Sequence, residues 1–333
     1  MPKAVLICTR KLDGHADRLC KEIELLGCRP VRIHIEDIKN YSFEINSNSQ
    51  IISLPSGETI DSSEIRSIFI RALPSSEDFG VNDKDLVVSP ETYISIQLES
   101  IFHDWINTIG INIPIINKFS NSMLCMGKGY QHVLARKVGL LTPDLFIGDN
   151  PDVARQFVEK NWQNGREVCT KPVAHKTVLI NNTKSARFTE KFTQEMAAEL
   201  PDLKGCPLIF QNYVEKQYEL RVTVIGKNLL GCKISSQEAG GNTAVDWRHY
   251  NIARTPHEAY ELPSDISCKL LEFHRLAGLR FSAFDLIKTP DNSYIFLETN
   301  PTGQWLWLED LVGLPICKTL AAELVNPTLE SLS

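Results

Sequence analysis

Three oxygen-bearing side chains lie in the segment FDLIKTPDNSYIFLETNPTGQW, which covers residues 284–305. Asp285, Glu298 and Asn300 occupy two apolar runs of β-strand character, on either side of a Pro-Asp-Asn-Ser turn. Carboxylates buried among apolar residues are costly unless a cation or hydrogen bonds compensate them. Either these groups face water, or a positive charge lies between the two strands.

The spacing of the two carboxylates is that of a facing pair in a β-hairpin. A turn centred between residues 291 and 292 pairs Asp285 with Glu298. Asn300 lies on the same face, because side chains alternate along a strand. Two carboxylates this close repel each other unless a cation bridges them, and Mg²⁺ prefers such oxygen ligands together with substrate phosphates. The hairpin is therefore a candidate magnesium site, and the alternative is a solvated face of an edge hairpin.

Two lysines are candidates for contacts with an anion. Lys171 interrupts the apolar strand pattern VCTKPV, and a buried lysine is rare unless it is paired. Its side chain either reaches solvent along the apolar surface or meets an anion such as a phosphate. Lys128 and Gln131 begin a helix before ARKVGLLTP; here the alternative is an ordinary solvated helix face.

An extended segment, LIFQNYVEKQYELRV, is suited to hold a nucleotide. Its backbone can offer N–H and C=O groups to an adenine edge, and a carboxylate can accept ribose hydroxyls. Four residues are candidates for this role: Gln211, Tyr213, Val214 and Glu215. Arg221 follows in the next strand and Arg248 lies in DWRHY. Arginine forks match phosphate and carboxylate oxygens, although either arginine alone is also compatible with a structural role.

Composition and charge exclude several classes of protein. The chain has 333 residues, of which 43% are hydrophobic and 23% charged, as in ordinary soluble proteins. A net charge of −6 argues against nucleic acid as the main partner. The first apolar run, AVLIC, is too short for a signal peptide, and no run reaches the length of a membrane span. Nine scattered cysteines without Cys-x-x-Cys predict a cytoplasmic protein.

Familiar catalytic and nucleotide-binding motifs are also missing from the sequence. There is no G-x-x-x-x-G-K-[ST] loop and no G-x-G-x-x-G, which removes the main support for a P-loop NTPase or a Rossmann dinucleotide enzyme. The absence of H-E-x-x-H and of G-x-S-x-G argues against a metalloprotease and a serine hydrolase.

The order of the elements predicts an α/β chain in three parts. KAVLICT, DGHADRLCKEIELLG and RPVRIHIED form a β-α-β opening. A long helix follows, with Ser89 as N-cap, Pro90 at its first position and Gly110 at its end. We predict an α/β domain over residues 1–118, a smaller α+β lid over 119–206 and a sheet-rich domain over 207–333. Shorter predictions are a strand at 111–117 and helices at roughly 121–138 and 189–200.

Taken in order, these residues resemble the ATP-grasp superfamily, and most of all its peptide-modifying branch, the microviridin-type graspetide synthetases. The resemblance rests on Lys128 with Gln131, on TKPV, FQNYVEK, ELRVTVIG and KISSQ…DWR, and above all on FDLIKTPDNSYIFLETNPTGQWLWLE. It covers residues 111–312, whereas the N-terminal part with FIRALPSSEDF is only loosely similar to the family's pre-ATP-grasp domain. After Lys171 the chain reads PVAHKTVLI, without the glycine-rich phosphate loop of many ATP-grasp enzymes.

The resemblance implies an ATP-grasp fold behind an N-terminal pre-ATP-grasp α/β domain, and it implies a role for each candidate residue. The phosphates of ATP would be contacted by Lys128 and Lys171. The adenosine pocket would be lined by Gln211, Tyr213, Val214 and Glu215. The γ-phosphate or an acyl phosphate would face Arg221 and Arg248. Mg²⁺ would be held by Asp285, Glu298 and Asn300.

By the same resemblance, the protein is an ATP-dependent ligase. It would activate Asp or Glu side chains of a precursor peptide as acyl phosphates and join them to Ser, Thr or Lys side chains as esters or amides. The helix predicted at 189–200 would correspond to the family's leader-binding helix, or else be a solvated lid helix. Two other functions stay open: a small-molecule carboxylate–amine ligase, and a non-catalytic nucleotide-binding scaffold. The partners implied are the precursor peptide and, as an option, a second copy in a homodimer.

Overall fold

The computed structural model describes residues 3–81, 88–174, 178–180, 183–185, 189–198, 200–239 and 255–327. All nine cysteines lie in these ranges and carry free thiols. Within the same ranges, no helix combines the length and the apolar character needed to cross a membrane.

A parallel sheet and its helices form the N-terminal part of the chain. Its elements are β1 (Ala4–Thr9), α1 (Gly14–Leu25), β2 (Arg29–His34), β3 (Ser42–Ile45), β4 (Gln50–Ser53), β5 (Thr59–Asp61), β6 (Ile65–Ile70), α2 (Ser76–Phe79), α3 (Pro90–Ile109) and β7 (Ile115–Ile116). The parallel strand order is β2-β1-β6-β7, and β3, β4 and β5 form a separate antiparallel sheet. The central strand β1 is buried on both faces, as its continuous apolar run requires. The predicted β-α-β opening is confirmed.

The long helix α3 begins and ends where the sequence predicts. The hydroxyl of Ser89 accepts a hydrogen bond from the Thr92 N–H, and Pro90 is the first helical residue. The strand predicted at 111–117 is limited to the two residues of β7. The cause lies at the helix end, where the N–H groups of Ile111 and Asn112 still donate to carbonyls of α3.

The middle of the chain builds an antiparallel sheet covered by one helix. Its elements are α4 (Phe119–Met126), α5 (Lys128–Lys137), β8 (Leu145–Gly148), α6 (Pro151–Gln163), β9 (Val168–Pro172), β10 (Val178–Ile180), β11 (Thr183–Ser185), β12 (Glu190–Lys191), α7 (Gln194–Ala197) and β13 (Leu208–Asn212). The strand order is β12-β9-β13-β8, and α6 packs against Val168 and Phe210 on one face. Because β13 belongs to this sheet, the structure favours a domain boundary after residue 212; the division into domains stays a prediction.

Two helix predictions in this part need correction. The helix expected at 121–138 is two helices, α4 and α5, because the backbone is extended at Gly127. The helix expected at 189–200 is only the four residues of α7, preceded by the strand β12. Here the buried Phe192 is drawn into the sheet, where its N–H donates to the carbonyl of Val168, and the helix begins only after Thr193.

The C-terminal part is a five-stranded antiparallel sheet with helices on both sides. Its elements are β14 (Tyr218–Ile225), β15 (Asn228–Ile234), α8 (Ser236–Ala239), β16 (His257–Tyr260), α9 (Ser264–Leu276), β17 (Phe281–Lys288), β18 (Tyr294–Asn300), α10 (Leu306–Val312) and α11 (Ile316–Val325). The strand order is β16-β15-β14-β17-β18. One face is apolar and packs on α9, for example through Val222, Phe284 and Leu286 against Leu270 and Phe273.

The other face of this sheet is divided between two environments. At one end, Ile225, Phe281 and their neighbours share a core with α1, β1 and α11. The buried amide of Asn117 ties the two parts together, since its nitrogen donates to the carbonyls of Phe281 and Pro301 and its oxygen accepts from the N–H groups of Arg280 and Phe281. At the other end, the same face carries the charged residues described next.

Candidate active site

The two carboxylates predicted to face each other do so. Asp285 in β17 lies directly opposite Glu298 in β18, and Asn300 lies two residues further along the same strand. The carboxylate residues are only 8% and 6% exposed, and every residue of β17 is buried. The alternative of a solvated edge hairpin is therefore wrong, and the carboxylates need compensation inside the protein.

A β-bulge at Leu297 produces this pairing. Near the turn, Lys288 faces Tyr294 and Leu286 faces Phe296, which centres the turn on Asp291. Without a bulge that register would place Leu297 opposite Asp285. The extra residue shifts the register by one and restores Glu298 to the facing position. The predicted pairing is confirmed, although the predicted turn centre is off by half a residue.

Cations neutralise both carboxylates. Arg221 in β14 lies opposite Asp285, and its Nη1 is 2.9 Å from each of the two carboxylate oxygens. The Nζ of Lys128, the first residue of α5, is 2.8 Å from Oε2 of Glu298. The amide nitrogen of Asn300 is 3.3 Å from Oε1 of the same carboxylate. Predicted candidates from three separate segments thus meet in one cluster.

Gln131 is hydrogen-bonded to β18, the strand that carries Glu298 and Asn300. Its Oε1 accepts from the N–H of Thr299 at 2.9 Å, and its Nε2 donates to the Thr299 carbonyl at 2.9 Å and to the Cys125 carbonyl. The residue is 1% exposed, so the alternative of a solvated helix face is wrong for Gln131. Because β18 is an edge strand, the glutamine takes the place of a neighbouring strand at the point between Glu298 and Asn300.

Lys171 and Gln211 lie on the middle sheet, on the face that α6 does not cover. Lys171 is opposite Ile209, and Gln211 is opposite Cys169. Val168 and Phe210 pack under α6. Lys171 and Gln211 lie at odd-numbered spacings from them along the strands, so the side chains of Lys171 and Gln211 lie on the opposite face. A side chain at Gly129 in α5 would approach Ile147 on that same face, with its Cβ 3.8 Å from Cδ1. The face therefore turns towards the start of α5, where Lys128 lies.

The residues predicted to line an adenosine pocket join the two sheets. The N–H of Tyr213 donates to the Glu167 carbonyl at 2.7 Å, and its ring lies under the Lys191 ammonium at 4.6 Å. Burial raises the pKa of the Tyr213 hydroxyl. Val214 is half-buried and Glu215 is exposed. Arg248 lies outside the described residues.

A second buried ion pair at this site was not predicted. Lys216 donates to Glu219 at 2.6 Å, and Ser236 donates to the same oxygen at 2.9 Å. Burial raises the pKa of the Glu219 carboxyl, and the charge of Lys216 only partly opposes this effect. Glu219 shares a sheet face with Arg221, two residues away. One sequence signal could have predicted that Glu219 lies at the site. In the pattern Glu-x-Arg, Glu219 must lie on the same strand face as Arg221, and Arg221 faces Asp285 of the next strand.

Arg71, a residue of the N-terminal part of the chain, also lies near this site. Arg71, just after β6, donates from Nη1 to the carbonyl of Thr302 at 2.9 Å, and its guanidinium lies 5.0 Å from the ring centre of Trp305. Burial alone would raise the pKa of the nearby Asp13 carboxyl, but hydrogen bonds from His15 and Thr9 and the charge of Arg71 hold it well below its usual value. The contacts of Arg71 with Thr302 and Trp305 join segments more than 200 residues apart, so no local sequence pattern predicts them.

The donor set fits a magnesium ion. Among the described residues, no group of three or more His, Cys, Asp or Glu side chains could hold a metal ion. The candidate ligands of this site are instead two carboxylates and one amide. Hard oxygen donors of this kind, with positions left for water and phosphate, match the preference of Mg²⁺. Each carboxylate oxygen carries two lone pairs, so it can accept from more than one partner.

No protein-family model matches the chain, and no curated protein matches it in sequence. Solved structures do match. A RiPP-associated ATP-grasp ligase from Chryseobacterium gregarium, in complex with ADP and a leader and core peptide, aligns with a TM-score of 0.84 and 23% identity, over 98% of this chain and 97% of that chain. The chain has the ATP-grasp fold.

Two further structures with this fold extend the comparison. The macrocyclase MdnC from Microcystis aeruginosa MRC, bound with the precursor peptide MdnA, has a TM-score of 0.80 and 25% identity over 97% of this chain and 99% of that chain. The ATP-grasp ligase PsnB, complexed with a minimal precursor, Mg and ADP, has a TM-score of 0.76 and 18% identity over 96% of both chains. The predicted ATP-grasp fold and the predicted likeness to its peptide-modifying branch are confirmed.

Proposed function

We propose that this ATP-grasp protein is an ADP-forming ligase that crosslinks a precursor peptide. It activates Asp or Glu side chains of the peptide and joins them to Ser, Thr or Lys side chains. The observation that carries the proposal is the buried, facing pair Asp285–Glu298 with Arg221 and Lys128 beside it. Such a cluster of oxygen ligands and cations is what a metal-bound triphosphate requires. The peptide and nucleotide ligands named for the structural neighbours support the choice of substrate.

Each candidate residue that the structure describes has a proposed role in this reaction. Asp285, Glu298 and Asn300 hold Mg²⁺, which neutralises charge on the phosphate oxygens when it is bound. Lys128 and Lys171 approach the phosphates from α5 and from the middle sheet. The adenosine end of the nucleotide lies along four residues that connect the two sheets: Gln211, Tyr213, Val214 and Glu215.

The chemistry proceeds in two steps. An oxygen of the donor carboxylate attacks the γ-phosphorus of ATP, the bond to the β-phosphate oxygen breaks, and ADP leaves with an acyl phosphate formed. A hydroxyl or amine of the peptide then attacks the acyl carbon, loses its proton, and expels phosphate. Arg221 neutralises the negative charge that moves between these groups. Exclusion of water during the reaction protects the acyl phosphate, which water would otherwise hydrolyse.

The test uses the purified protein with ATP, Mg²⁺ and an acidic, hydroxyl-rich peptide encoded beside its gene. We expect ADP release and the loss of one water mass from the peptide per crosslink. Glu298→Gln removes one negative charge from the metal site, so activity falls by at least about 100-fold. Glu258→Gln makes the same change at a 63% exposed side chain in β16 of the same sheet and leaves activity unchanged. Full activity of Glu298→Gln contradicts the proposal.

Other outcomes of this test favour the alternative functions. ADP release with amino acids but not with the peptide indicates a small-molecule carboxylate–amine ligase. ATP binding without turnover indicates a nucleotide-binding scaffold. The nine free thiols support a cytoplasmic location, and light scattering of the active enzyme decides between a monomer and the homodimer that the resemblance allows.

A further inference from the structure

Arg71 lies where the N-terminal sheet meets the loop that follows β18. Its backbone N–H donates to the carbonyl of Cys8 at 2.9 Å, which places it at the carboxyl ends of β1 and β6. In open α/β sheets, ligands bind at this end of the strands. Arg71 is 8% exposed, so its charge lies inside the protein at a position typical of binding sites.

The guanidinium of Arg71 is poorly satisfied for a buried cation. An arginine has five N–H donors, and among the described residues this one makes a single hydrogen bond, from Nη1 to the Thr302 carbonyl. Its Nε is buried without a partner, because the nearest carboxylate oxygen, on Asp13, is 3.6 Å away. That carboxylate accepts instead from Thr9 and His15. Asp13 thus balances the charge of Arg71 at ion-pair distance, but the buried Nε makes no hydrogen bond, and the donors that remain can bind a further carboxylate.

Arg71 is close to the predicted reaction centre. Gly303 follows Thr302, and a Cβ at this glycine would lie 2.9 Å from Nη2 of Arg221. Since Arg71 binds the preceding carbonyl, standard backbone geometry keeps the two guanidinium groups within about 11 Å of each other. The two arginines therefore flank one short segment, Thr302–Gly303, with Arg221 on the metal side and Arg71 on the side of the N-terminal sheet.

We propose that Arg71 binds the donor carboxylate of the peptide and positions it for attack on the γ-phosphorus. This inference rests on the proposed function. The phosphates already have the metal ligands, both lysines and Arg221. At the carboxyl end of β1, Arg10 and Lys11 are paired with Glu36, Asp37 and Asp78, so among the described cations there Arg71 is the one left for the carboxylate. Near-attack geometry needs the carboxylate oxygen about 3–3.5 Å from phosphorus. An arginine fork offers the two parallel N–H groups that orient such a group.

The neighbouring His15 does not take this role. Its Nε2 accepts from the N–H of Trp305 at 3.2 Å, and its Nδ1 is 3.2 Å from Asp13. Both ring nitrogens are thus engaged within the protein, and the histidine has no free N–H to donate to a substrate carboxylate. Arg71 is the group of this cluster that keeps unused donors.

Arg71 could instead be only a link between the two parts of the chain, through Thr302 and Trp305. A double-mutant cycle separates the two roles, because it measures whether the arginine recognises the carboxylate itself. The two peptides are the precursor that the enzyme crosslinks and the same precursor with every core Asp and Glu replaced by Asn and Gln. The two enzymes are the wild type and Arg71→Met, and the dissociation constants are measured with ADP and Mg²⁺ present.

We expect the wild type to bind the acidic peptide at least about tenfold more tightly than the amide peptide, which is the lower end of the strength of a hydrogen bond to a charged group. Arg71→Met should bind both equally, and Arg71→Lys should recover part of the preference. Arg18→Met is the matched control. Like Arg71, Arg18 joins the N-terminal part of the chain to the C-terminal part, here through Glu309 and Asp310, but it lies on the surface. It should keep the full preference.

The outcomes separate this inference from the proposed function. If Arg71→Met binds ADP normally and prefers the acidic peptide as strongly as the wild type does, Arg71 is a structural link and the inference is wrong. If the wild type neither crosslinks nor binds the peptide, the proposed function fails and the inference fails with it.

Discussion

Replacing Gln131 with leucine tests whether one amide fixes the geometry of the metal site. The side chain makes three hydrogen bonds to main-chain groups, two of them to Thr299 and one to Cys125. Thr299 stands between Glu298 and Asn300 in β18. Leucine has a similar volume but no polar atom, so Gln131→Leu removes the hydrogen bonds without opening a large cavity.

The expected cost follows from the groups left without a partner. One N–H and two carbonyls lose their bonds in a place where the side chain is 1% exposed. Each orphaned group costs about 1–3 kcal/mol, and burial of the leucine returns about 1–2 kcal/mol. For the three groups together we expect a net loss of about 1–8 kcal/mol in the free energy of unfolding. That loss is a large share of the roughly 5–15 kcal/mol that keeps a typical protein folded.

Urea unfolding measures the stability, and ADP release with the precursor peptide measures activity. We expect activity to fall by about 10- to 100-fold, as when groups that orient metal ligands are removed. Val133→Gln changes a 68% exposed residue of the same helix and should alter stability by no more than about 0.5 kcal/mol. The reasoning is refuted if Gln131→Leu unfolds within 0.5 kcal/mol of the wild type and crosslinks at the normal rate.

Two further predictions concern a close contact and a buried histidine. In Gly303→Ala the new Cβ would lie 2.5 Å from Cβ of Ala283 and 2.9 Å from Nη2 of Arg221; we expect a loss of about 1–3 kcal/mol and slower crosslinking, and an unchanged urea midpoint would contradict this. Burial and the charge of Arg280 lower the pKa of His274 to about 3. Because the unfolded histidine takes up a proton near pH 6.5, the free energy of unfolding should fall by about 1.4 kcal/mol per pH unit as the pH drops from about 6.5 to 3. His274→Gln should lack this slope in urea titrations at pH 7, 5.5 and 4.5, and parallel curves for the two proteins would show that His274 is not the cause.

The parts of the site that the sequence predicts are those that depend on one strand or one hairpin. Alternation placed Asp285, Glu298 and Asn300 on one face, and the pairing across the hairpin is confirmed. The bulge at Leu297 was not predicted, because nothing in the amino-acid sequence distinguishes a bulged strand from a regular one at that point. The pairing was right because a misplaced turn centre and an unseen bulge cancel each other.

The remaining features depend on contacts between distant segments. Gln131 was compatible with a solvated helix face because its partners are main-chain groups of β18, which have no sequence signature. The same holds for Arg71, whose partner is the carbonyl of Thr302. The shortened helix after residue 189 shows tertiary structure overriding local preference, since burial of Phe192 draws the chain into a sheet.

The covering of β18 also limits how a flexible chain can dock here. Besides Gln131 at Thr299, the carbonyl of Leu141 accepts the Phe296 N–H, and Leu141 bridges to Ile295. A polypeptide cannot extend the sheet at these positions by lying alongside its last strand. A chain that reaches the carboxylates from this side must therefore bind by contacts other than main-chain pairing with β18.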